Sequence, residues 1–209
     1  MKDYELYIFD FDNTMFDTSI GLAAILNNAF PPVGLKYDES MFQDLVGMTM
    51  EQIFDKFVGD ESKREIFYEK FREVVHSDAY LKGAPFPDTK ETFEELMRRG
   101  KHIAIASGKF RFKILKLMEV HGMAHLIPEV VIGYHDTEKH KPDPDPILKA
   151  MSYFDLPEKT IVYVGDSPHD ALAAKNAGVD SVIVNRHNGL TPDGIECTWE
   201  ISSLKELLV

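Results

Sequence analysis

The stretch LYIFDFDNT, residues 6–14, joins a short apolar run to two aspartates, Asp10 and Asp12. Its first four residues are of the kind that fill a buried β-strand. Two carboxylates placed so close together repel each other, and burying them is costly unless a positive group lies between them. The stretch therefore predicts a buried strand whose carboxyl end lies beside a cation or a basic side chain.

Four further apolar runs follow along the chain. They are short, rich in β-branched residues and without strict alternation, as is typical of strands that are buried on both faces of a parallel sheet. They span residues 102–106, 129–134, 160–165 and 181–185. Segments with helical spacing of apolar residues alternate with them, at 89–99, 109–121, 144–154 and 168–177. This alternation predicts an α/β fold with an open parallel sheet and right-handed crossovers.

Residues 18–80 do not follow this alternation, because no strand-like run occurs among them. Several of their amphipathic stretches end at a glycine or at the pair Pro31-Pro32, which is where helices tend to end. Residues 81–88, rich in Gly and Pro, would lead the chain back to the sheet. The pattern predicts an all-helical insertion between the first strand and the rest of the sheet.

The composition is that of an ordinary globular chain. Its 209 residues are 44% hydrophobic and 28% charged, which suffices for a large core. The net charge of −12, without a Lys/Arg-rich block, argues against nucleic acid as a partner. Cys197 is the single cysteine, and no apolar run is long enough to cross a membrane. We therefore expect a soluble cytoplasmic protein with no membrane partner.

Polar and charged residues come after the predicted strands, where each strand ends. They are Asp10, Asp12 and Thr14, then Ser107 and Gly108, then Lys141, and finally Asp166 and Asp170. Ligands of open α/β sheets bind at the carboxyl ends of the strands, so we expect these residues to share one edge. Carboxylate oxygens together with a substrate phosphate are the ligands that Mg²⁺ takes, and Lys141 would help to neutralise the acids.

Taken one at a time, these residues also have an ordinary structural interpretation. An Asp at a strand end often caps the next helix, and Ser107-Gly108 alone is typical of a turn. We interpret Asp17 and Lys109 as surface charges at helix ends. It is the joint occurrence of the other residues that indicates a site for phosphoryl transfer, which needs mainly alignment and charge cancellation.

Four segments resemble, in order, the motifs of the haloacid dehalogenase-like hydrolase superfamily. They are DFDNT (10–14), ASG (106–108), KPDPDP (141–146) and VGDSPHDALAAKNAG (164–178). The helical stretch resembles the cap of the phosphoglycolate phosphatase and β-phosphoglucomutase branch. The resemblance implies a Rossmann-like, three-layer α/β/α core of residues 1–15 and 83–209, with a helical cap domain of residues 16–82. Asn13 and Asp88 depart from the family pattern, which usually has Gly at the first position and a Pro-Gly turn at the second.

The resemblance also implies three catalytic residues. Asp10 would attack phosphorus and become an aspartyl phosphate. Asp12 would protonate the leaving oxygen and later take a proton from the attacking water. Lys141 would bridge Asp10 and the phosphoryl group.

The binding residues are implied in the same way. Ser107 and the Gly108 amide would hold phosphoryl oxygens, and Thr14 would support the first loop. The Mg²⁺ ligands would be Asp10, Asp12 through its main-chain carbonyl, Asp166, and Asp170 directly or by orienting the ion.

A phosphatase acting on a small phosphorylated metabolite, as a monomer or weak dimer, is the function that these features favour. A sugar phosphomutase remains an alternative, although Met48, Thr49 and Met50 occupy the region where mutases resemble one another in an Arg. A non-catalytic protein that binds a phosphorylated ligand, or a receiver-like signalling switch, is a further alternative. A receiver would place its acid pair and its phospho-acceptor Asp on different strands and would have no helical insertion after the first strand, so the spacing in this sequence disfavours it.

Overall fold

The computed structural model of the protein describes residues 1–45, 48–75, 77–186 and 196–208. The chain divides into two compact units. One consists of Met1–Asp17 with Pro85–Val209, and the other of Thr18–Ala84. In the part of the chain that the structure describes, no helix has the length and apolar character needed to cross a bilayer.

The first unit is built on a six-stranded parallel sheet. The strands of the described chain are β1 (Leu6–Phe9), β2 (Phe16–Asp17), β3 (Ala84–Pro85), β4 (His102–Ala106), β5 (Val130–Ile132), β6 (Ile161–Gly165), β7 (Asp180–Val184) and β8 (Trp199–Ile201). The large sheet has the order β5-β4-β1-β6-β7-β8, and β2 pairs with β3 in a separate small sheet. Each neighbouring pair in the large sheet is parallel, which confirms the predicted α/β class.

The α-helices of the described chain alternate with the strands after residue 88. They are α1 (Ser19–Ala29), α2 (Phe42–Leu45), α3 (Met50–Ile53), α4 (Arg64–Val75), α5 (Thr89–Arg98), α6 (Arg111–Val120), α7 (Asp145–Met151) and α8 (Pro168–Ala177). A π-helical turn, Phe54–Val58, continues α3. Helices α5, α7 and α8 pack against β4, β5, β6 and β7, so these four strands are largely buried and their apolar runs need no alternation.

The strand β1 lies in the middle of the sheet, and this position determines where the site can form. All four of its residues are buried, and its neighbours are β4 and β6. Because the three strands run parallel, their carboxyl ends lie side by side at one edge of the sheet. The residues that follow β1, β4 and β6 are thereby brought together. The edge strand β8 was not predicted, since its sequence WEI has no apolar run.

The second unit, Thr18–Ala84, contains helices and no strand except the first residue of β3 within its described residues. Its core includes Leu26, Phe30, Phe54 and Phe67, and the rings of Phe54 and Phe67 lie 5.3 Å apart, edge to face. Aromatic pairs in this geometry stabilise a core beyond the area that they bury. This unit is therefore held together by its own hydrophobic core.

Candidate active site

Asp10 lies at the carboxyl end of β1, and the sheet itself places its carboxylate. The backbone N–H of Asp10 donates to the carbonyl of Val164 in β6, at 2.8 Å. One carboxylate oxygen from each of Asp10, Asp166 and Asp170 lies within 4.8 Å of the others. The structure thus brings together three of the acids singled out in the sequence, although they are up to 160 positions apart in the chain.

Lys141 is the cation of this cluster. Its Nζ lies 2.8 Å from Asp10 Oδ1 and 2.6 Å from Asp170 Oδ1. The lysine side chain is only 11% exposed, so solvent screens these two ion pairs very little. Burial by itself would lower the pKa of Lys141, but the two carboxylates raise it well above its usual value. The two carboxylates therefore favour the charged form of this lysine.

One lysine does not neutralise three clustered carboxylates, of which those of Asp10 and Asp170 are buried, and the pKa values of the acids reflect this. Burial raises the pKa of Asp10 to about 6, with Lys141 opposing the shift and Asp170 and Asp12 adding to it. Burial, followed by the charges of Asp170 and Asp10, raises the pKa of Asp166 well above its usual range. The pKa of Asp170 is lowered in spite of its burial, because Lys141 lies beside it and Ser167 donates to it. The cluster has an excess of negative charge.

Asp170 is the most tightly held of the three acids. Its Oδ2 accepts from Ser167 Oγ at 2.6 Å, from the Ser167 N–H at 3.0 Å and from the Asp166 N–H at 3.2 Å. The Ser167 hydroxyl also accepts from the Asp170 N–H, which makes a capping box at the start of α8. Gly165 lies directly behind: a Cβ at this position would come within 2.4 Å of the Asp170 Cβ and Cγ atoms. Asp170 thus takes part both in the capping box of α8 and in the acid cluster.

The loop after β1 is closed by its own backbone. Asn13 has φ +56°, a left-handed conformation that Asn adopts more readily than other residues with a side chain. This explains why Asn can stand where the family usually has Gly. Thr14 Oγ1 donates to Asp166 Oδ1 at 3.1 Å, so the loop also orients one of the clustered acids.

Arg186, which the sequence analysis did not single out, holds the same loop from behind. Its Nη2 and Nε donate to the Thr14 carbonyl at 2.8 and 3.1 Å, and its Nη1 lies 2.8 Å from Asp88 Oδ2. The guanidinium is 5% exposed and Asp88 10%. The acid at position 88, the second departure from the family pattern, is thus the partner of this buried arginine.

Asp12 does not join the three clustered acids. Its Oδ1 lies 2.6 Å from the Nζ of Lys109, whose side chain is 14% exposed, while that of Asp12 is 32% exposed. The interpretation of Lys109 as a surface charge at a helix end is therefore wrong, since this lysine is mostly buried and pairs with one of the acids of the first motif. One turn along, burial and the charge of Lys109 lower the pKa of Lys113 to about 8, against an opposite effect of Asp12.

Ser107 and Gly108 follow β4, the strand next to β1. The Ser107 side chain is buried, and the Ser107 N–H donates to the Ile132 carbonyl at 3.0 Å. Gly108 is exposed. Both residues lie at the same edge of the sheet as the acids, where a hydroxyl and a main-chain N–H can bind an anion.

The donor set of this edge fits a divalent metal ion. Three carboxylates converge, and oxygen is the ligand type that Mg²⁺ prefers. The charged groups described above comprise four acids and two lysines. The acids are Asp10, Asp12, Asp166 and Asp170, and the lysines are Lys109 and Lys141. A divalent cation would balance the remaining two negative charges. With the two lysines, it would supply the positive charge that the acids after β1 require.

Comparison with known proteins agrees with this architecture. The sequence model of the family described as haloacid dehalogenase-like hydrolase matches residues 7–184. A protein of Caldanaerobacter subterraneus subsp. tengcongensis, assigned the name pyrophosphatase PpaX, is 33% identical over 183 aligned positions, and the match covers 85% of this chain and 80% of that protein. A phosphoglycolate phosphatase of Vibrio cholerae is 29% identical over 192 aligned positions, and the match covers 85% of this chain and 83% of that enzyme.

A solved structure shares the fold over nearly the whole chain. It is that of a Bacteroides fragilis protein assigned to the haloacid dehalogenase-like hydrolases, and it superimposes with a TM-score of 0.86 at 29% identity. The match covers 98% of this chain and all of the other.

Proposed function

The chain belongs to the haloacid dehalogenase-like hydrolase family, and from this membership and the site geometry we propose that it is a phosphatase that depends on a divalent metal ion. It hydrolyses a small phosphorylated compound through an aspartyl phosphate on Asp10. The observation that carries the proposal is the cluster of Asp10, Asp166 and Asp170, in which the Lys141 ammonium contacts the two buried acids, Asp10 and Asp170. Such a group is suited to an incoming phosphoryl dianion only when a metal ion is bound with it.

We propose that the reaction proceeds in two steps. In the first, an Asp10 oxygen forms a bond to phosphorus while the bond from phosphorus to the leaving oxygen breaks, and Asp12 gives that oxygen a proton. In the second, water attacks phosphorus, Asp12 takes a proton from the water, and inorganic phosphate leaves Asp10. The buried Lys141 stabilises charge on Asp10 and on the phosphoryl group.

The remaining residues bind and orient. The Ser107 hydroxyl and the Gly108 N–H hold phosphoryl oxygens, and Thr14 orients Asp166. Mg²⁺ is the metal ion that we propose, held by the carboxylates of Asp10, Asp166 and Asp170 and by the main-chain carbonyl of Asp12. When bound, it neutralises charge on the phosphoryl group.

The relatives suggest which substrates to test first. They are named for pyrophosphate and for phosphoglycolate, and both compounds are small and carry a second anionic group next to the scissile phosphate. We propose pyrophosphate and phosphoglycolate as the first two candidates in a panel of phosphorylated metabolites. The measurement is phosphate release, with a check for isomerisation of a sugar phosphate to detect mutase activity.

A first experiment tests the nucleophile. Asp10→Asn should lower phosphate release from an aryl phosphate by roughly a thousandfold or more, because the attacking oxygen is lost. Asp155→Asn is the matched control, since Asp155 is an exposed acid outside the cluster, and it should keep full activity. Turnover by Asp10→Asn near the wild-type rate would show that the nucleophile is a different residue.

A second experiment tests the intermediate and the metal ion. With p-nitrophenyl phosphate, whose leaving group departs without a proton, Asp12→Ala should accumulate more aspartyl phosphate than the wild type after rapid quenching, since the base for its hydrolysis is missing. Calorimetric titration of the metal-free protein with Mg²⁺ should give a single site that Asp166→Asn weakens. If Asp166→Asn bound Mg²⁺ as tightly as the wild type, the ligand assignment would have to be abandoned.

A further inference from the structure

We propose that Lys109 is a positioning residue that holds the Asp12 carboxyl group in place for proton transfer to the leaving group: Lys109 Nζ donates to Oδ1, and Oδ2 carries the proton that passes to the leaving oxygen. The inference rests on the proposed role of Asp12 as the general acid, and it assigns a role to a lysine that lies outside the segments used for the family resemblance. Its basis is the ion pair between Lys109 Nζ and Asp12 Oδ1, at 2.6 Å.

This ion pair differs from the surface pairs of the same protein. The Lys109 side chain is 14% exposed, whereas Lys175, which pairs with Glu196 at the same distance of 2.6 Å, is 59% exposed. Exposed pairs are screened by water and contribute little. A mostly buried lysine instead keeps its partner in one orientation, while the 32% exposure of Asp12 leaves the acid accessible to a substrate.

The backbone of Lys109 is fixed by the end of the neighbouring strand β5. The Tyr134 N–H donates to the Lys109 carbonyl at 3.0 Å, and the Lys109 N–H donates to Ser107 Oγ at 3.3 Å. Gly133 packs so closely that a Cβ there would lie 2.9 Å from the Lys109 carbonyl oxygen and 2.6 Å from the Arg111 backbone nitrogen. The lysine therefore projects from a rigid point and not from a freely moving loop.

The backbone of Asp12 is fixed as well. The loop closes through a bridge between Asp12 and Phe16, and the Asn13 N–H donates to the Phe16 carbonyl at 2.6 Å. With both backbones held, the ion pair determines the direction of the Asp12 side chain. A general acid must lie within hydrogen-bond reach of the leaving oxygen, so its orientation decides its efficiency.

The two lysines of the site therefore have separate tasks. Lys141 contacts Asp10 and Asp170, where the phosphoryl group binds, and Lys109 contacts Asp12, where the proton is transferred. Loss of Lys109 would leave phosphoryl binding intact and make proton delivery less efficient. Loss of Lys109 should therefore lower the rate mainly for substrates whose leaving group needs a proton, whereas a general structural defect would lower it for every substrate.

The test compares substrates that differ in how much they need a proton. p-Nitrophenol leaves readily as its anion, whereas the oxygen of an alkyl group must be protonated as it leaves. We therefore compare kcat/KM for p-nitrophenyl, phenyl and alkyl phosphates. Since kcat/KM covers the steps up to release of the leaving group, the later hydrolysis of the intermediate does not enter. The variants are Lys109→Met, Lys109→Arg and Asp12→Asn, with Lys116→Met as the matched control, since Lys116 is an exposed lysine of α6, the helix that follows Lys109.

We expect Lys109→Met to change kcat/KM for p-nitrophenyl phosphate by no more than about threefold. For the alkyl phosphate the loss should be about a hundredfold, as for a misplaced general acid. Lys109→Arg should recover part of that loss, and Lys116→Met should resemble the wild type with every substrate. Thermal melting of each variant checks that the fold is retained.

The outcomes separate the inference from the function on which it rests. If Asp12→Asn loses the same factor with every leaving group, Asp12 is not the acid, and both statements fall. A second outcome is that Asp12→Asn lowers kcat/KM mainly for the alkyl phosphate, while Lys109→Met lowers kcat/KM for all three substrates equally or for none of them. In that case the role of Lys109 is overturned, and Asp12 remains the general acid. Greater activity of Lys109→Met than of Lys109→Arg with the alkyl phosphate would also contradict the proposal.

Discussion

Gly165→Ala is predicted to damage the site without touching a charged residue. Gly165 is the last residue of β6, and a Cβ built on it would lie 2.4 Å from the Cβ and Cγ atoms of Asp170 and 2.7 Å from Oδ2. Ordinary contacts of a Cβ begin at 3.4 Å, so the carboxylate would have to move by about 1 Å. Asp170 cannot move freely, because Ser167 and Lys141 hold it.

The size of the effect follows from this displacement. Overpacking a filled site costs about 1–3 kcal/mol of unfolding free energy, and a shift of about 1 Å in a reacting group can cost about a hundredfold in rate. We therefore expect Gly165→Ala to unfold at lower urea concentration than the wild type. We also expect it to lose about two orders of magnitude in kcat and to bind Mg²⁺ more weakly.

The assay is urea unfolding followed by fluorescence, together with phosphate release over a range of Mg²⁺ concentrations. Gly21→Ala is the control, since a Cβ at Gly21 meets nothing within 4 Å and Gly21 lies inside the helix α1; it should be neutral or stabilising by up to about 1 kcal/mol. If Gly165→Ala matched the wild type in both stability and rate, the close packing of β6 on Asp170 would not be what positions that acid.

Further predictions concern charge and backbone. The folded-state pKa of Asp10, about 6, lies above its unfolded value of 3.8, so its favourable contribution is complete below pH 4 and is lost as the pH rises through 6. In EDTA at pH 7.5, Asp10→Asn should therefore be more stable than the wild type by roughly 2–3 kcal/mol in urea unfolding, with the difference vanishing near pH 4. Arg186→Met leaves the buried Asp88 carboxylate without its cation and should cost about 3 kcal/mol, most of which Asp88→Asn in the same chain restores. Equal stability of Arg186→Met and of the double variant would rule out the pairing of Arg186 with Asp88. At Asn13, with φ +56°, Asn13→Gly should be nearly neutral and Asn13→Ala should lose about 1 kcal/mol by the same measurement.

Much of the fold follows from local patterns. Strands that are buried on both faces must be apolar throughout, and helices that cover them must carry an apolar stripe, so both can be recognised from the chain alone. The predicted strand at 102–106 and the predicted helix at 168–177 have the observed bounds. The residues of the candidate site could be proposed because parallel strands present their carboxyl ends at one edge. The short edge strand β8 has no such pattern and was missed.

The sequence alone thus identified the α/β fold and the loops from which a site would be built. Only the tertiary structure decided which charges are paired: Lys109 with Asp12 across 97 positions, and Arg186 with Asp88 across 98. The reason is physical. Burial and helical or strand periodicity are properties of neighbouring residues, whereas the partner of a charge depends on the order in which strands lie in the sheet, and this order places β1 between two strands that are distant in the chain.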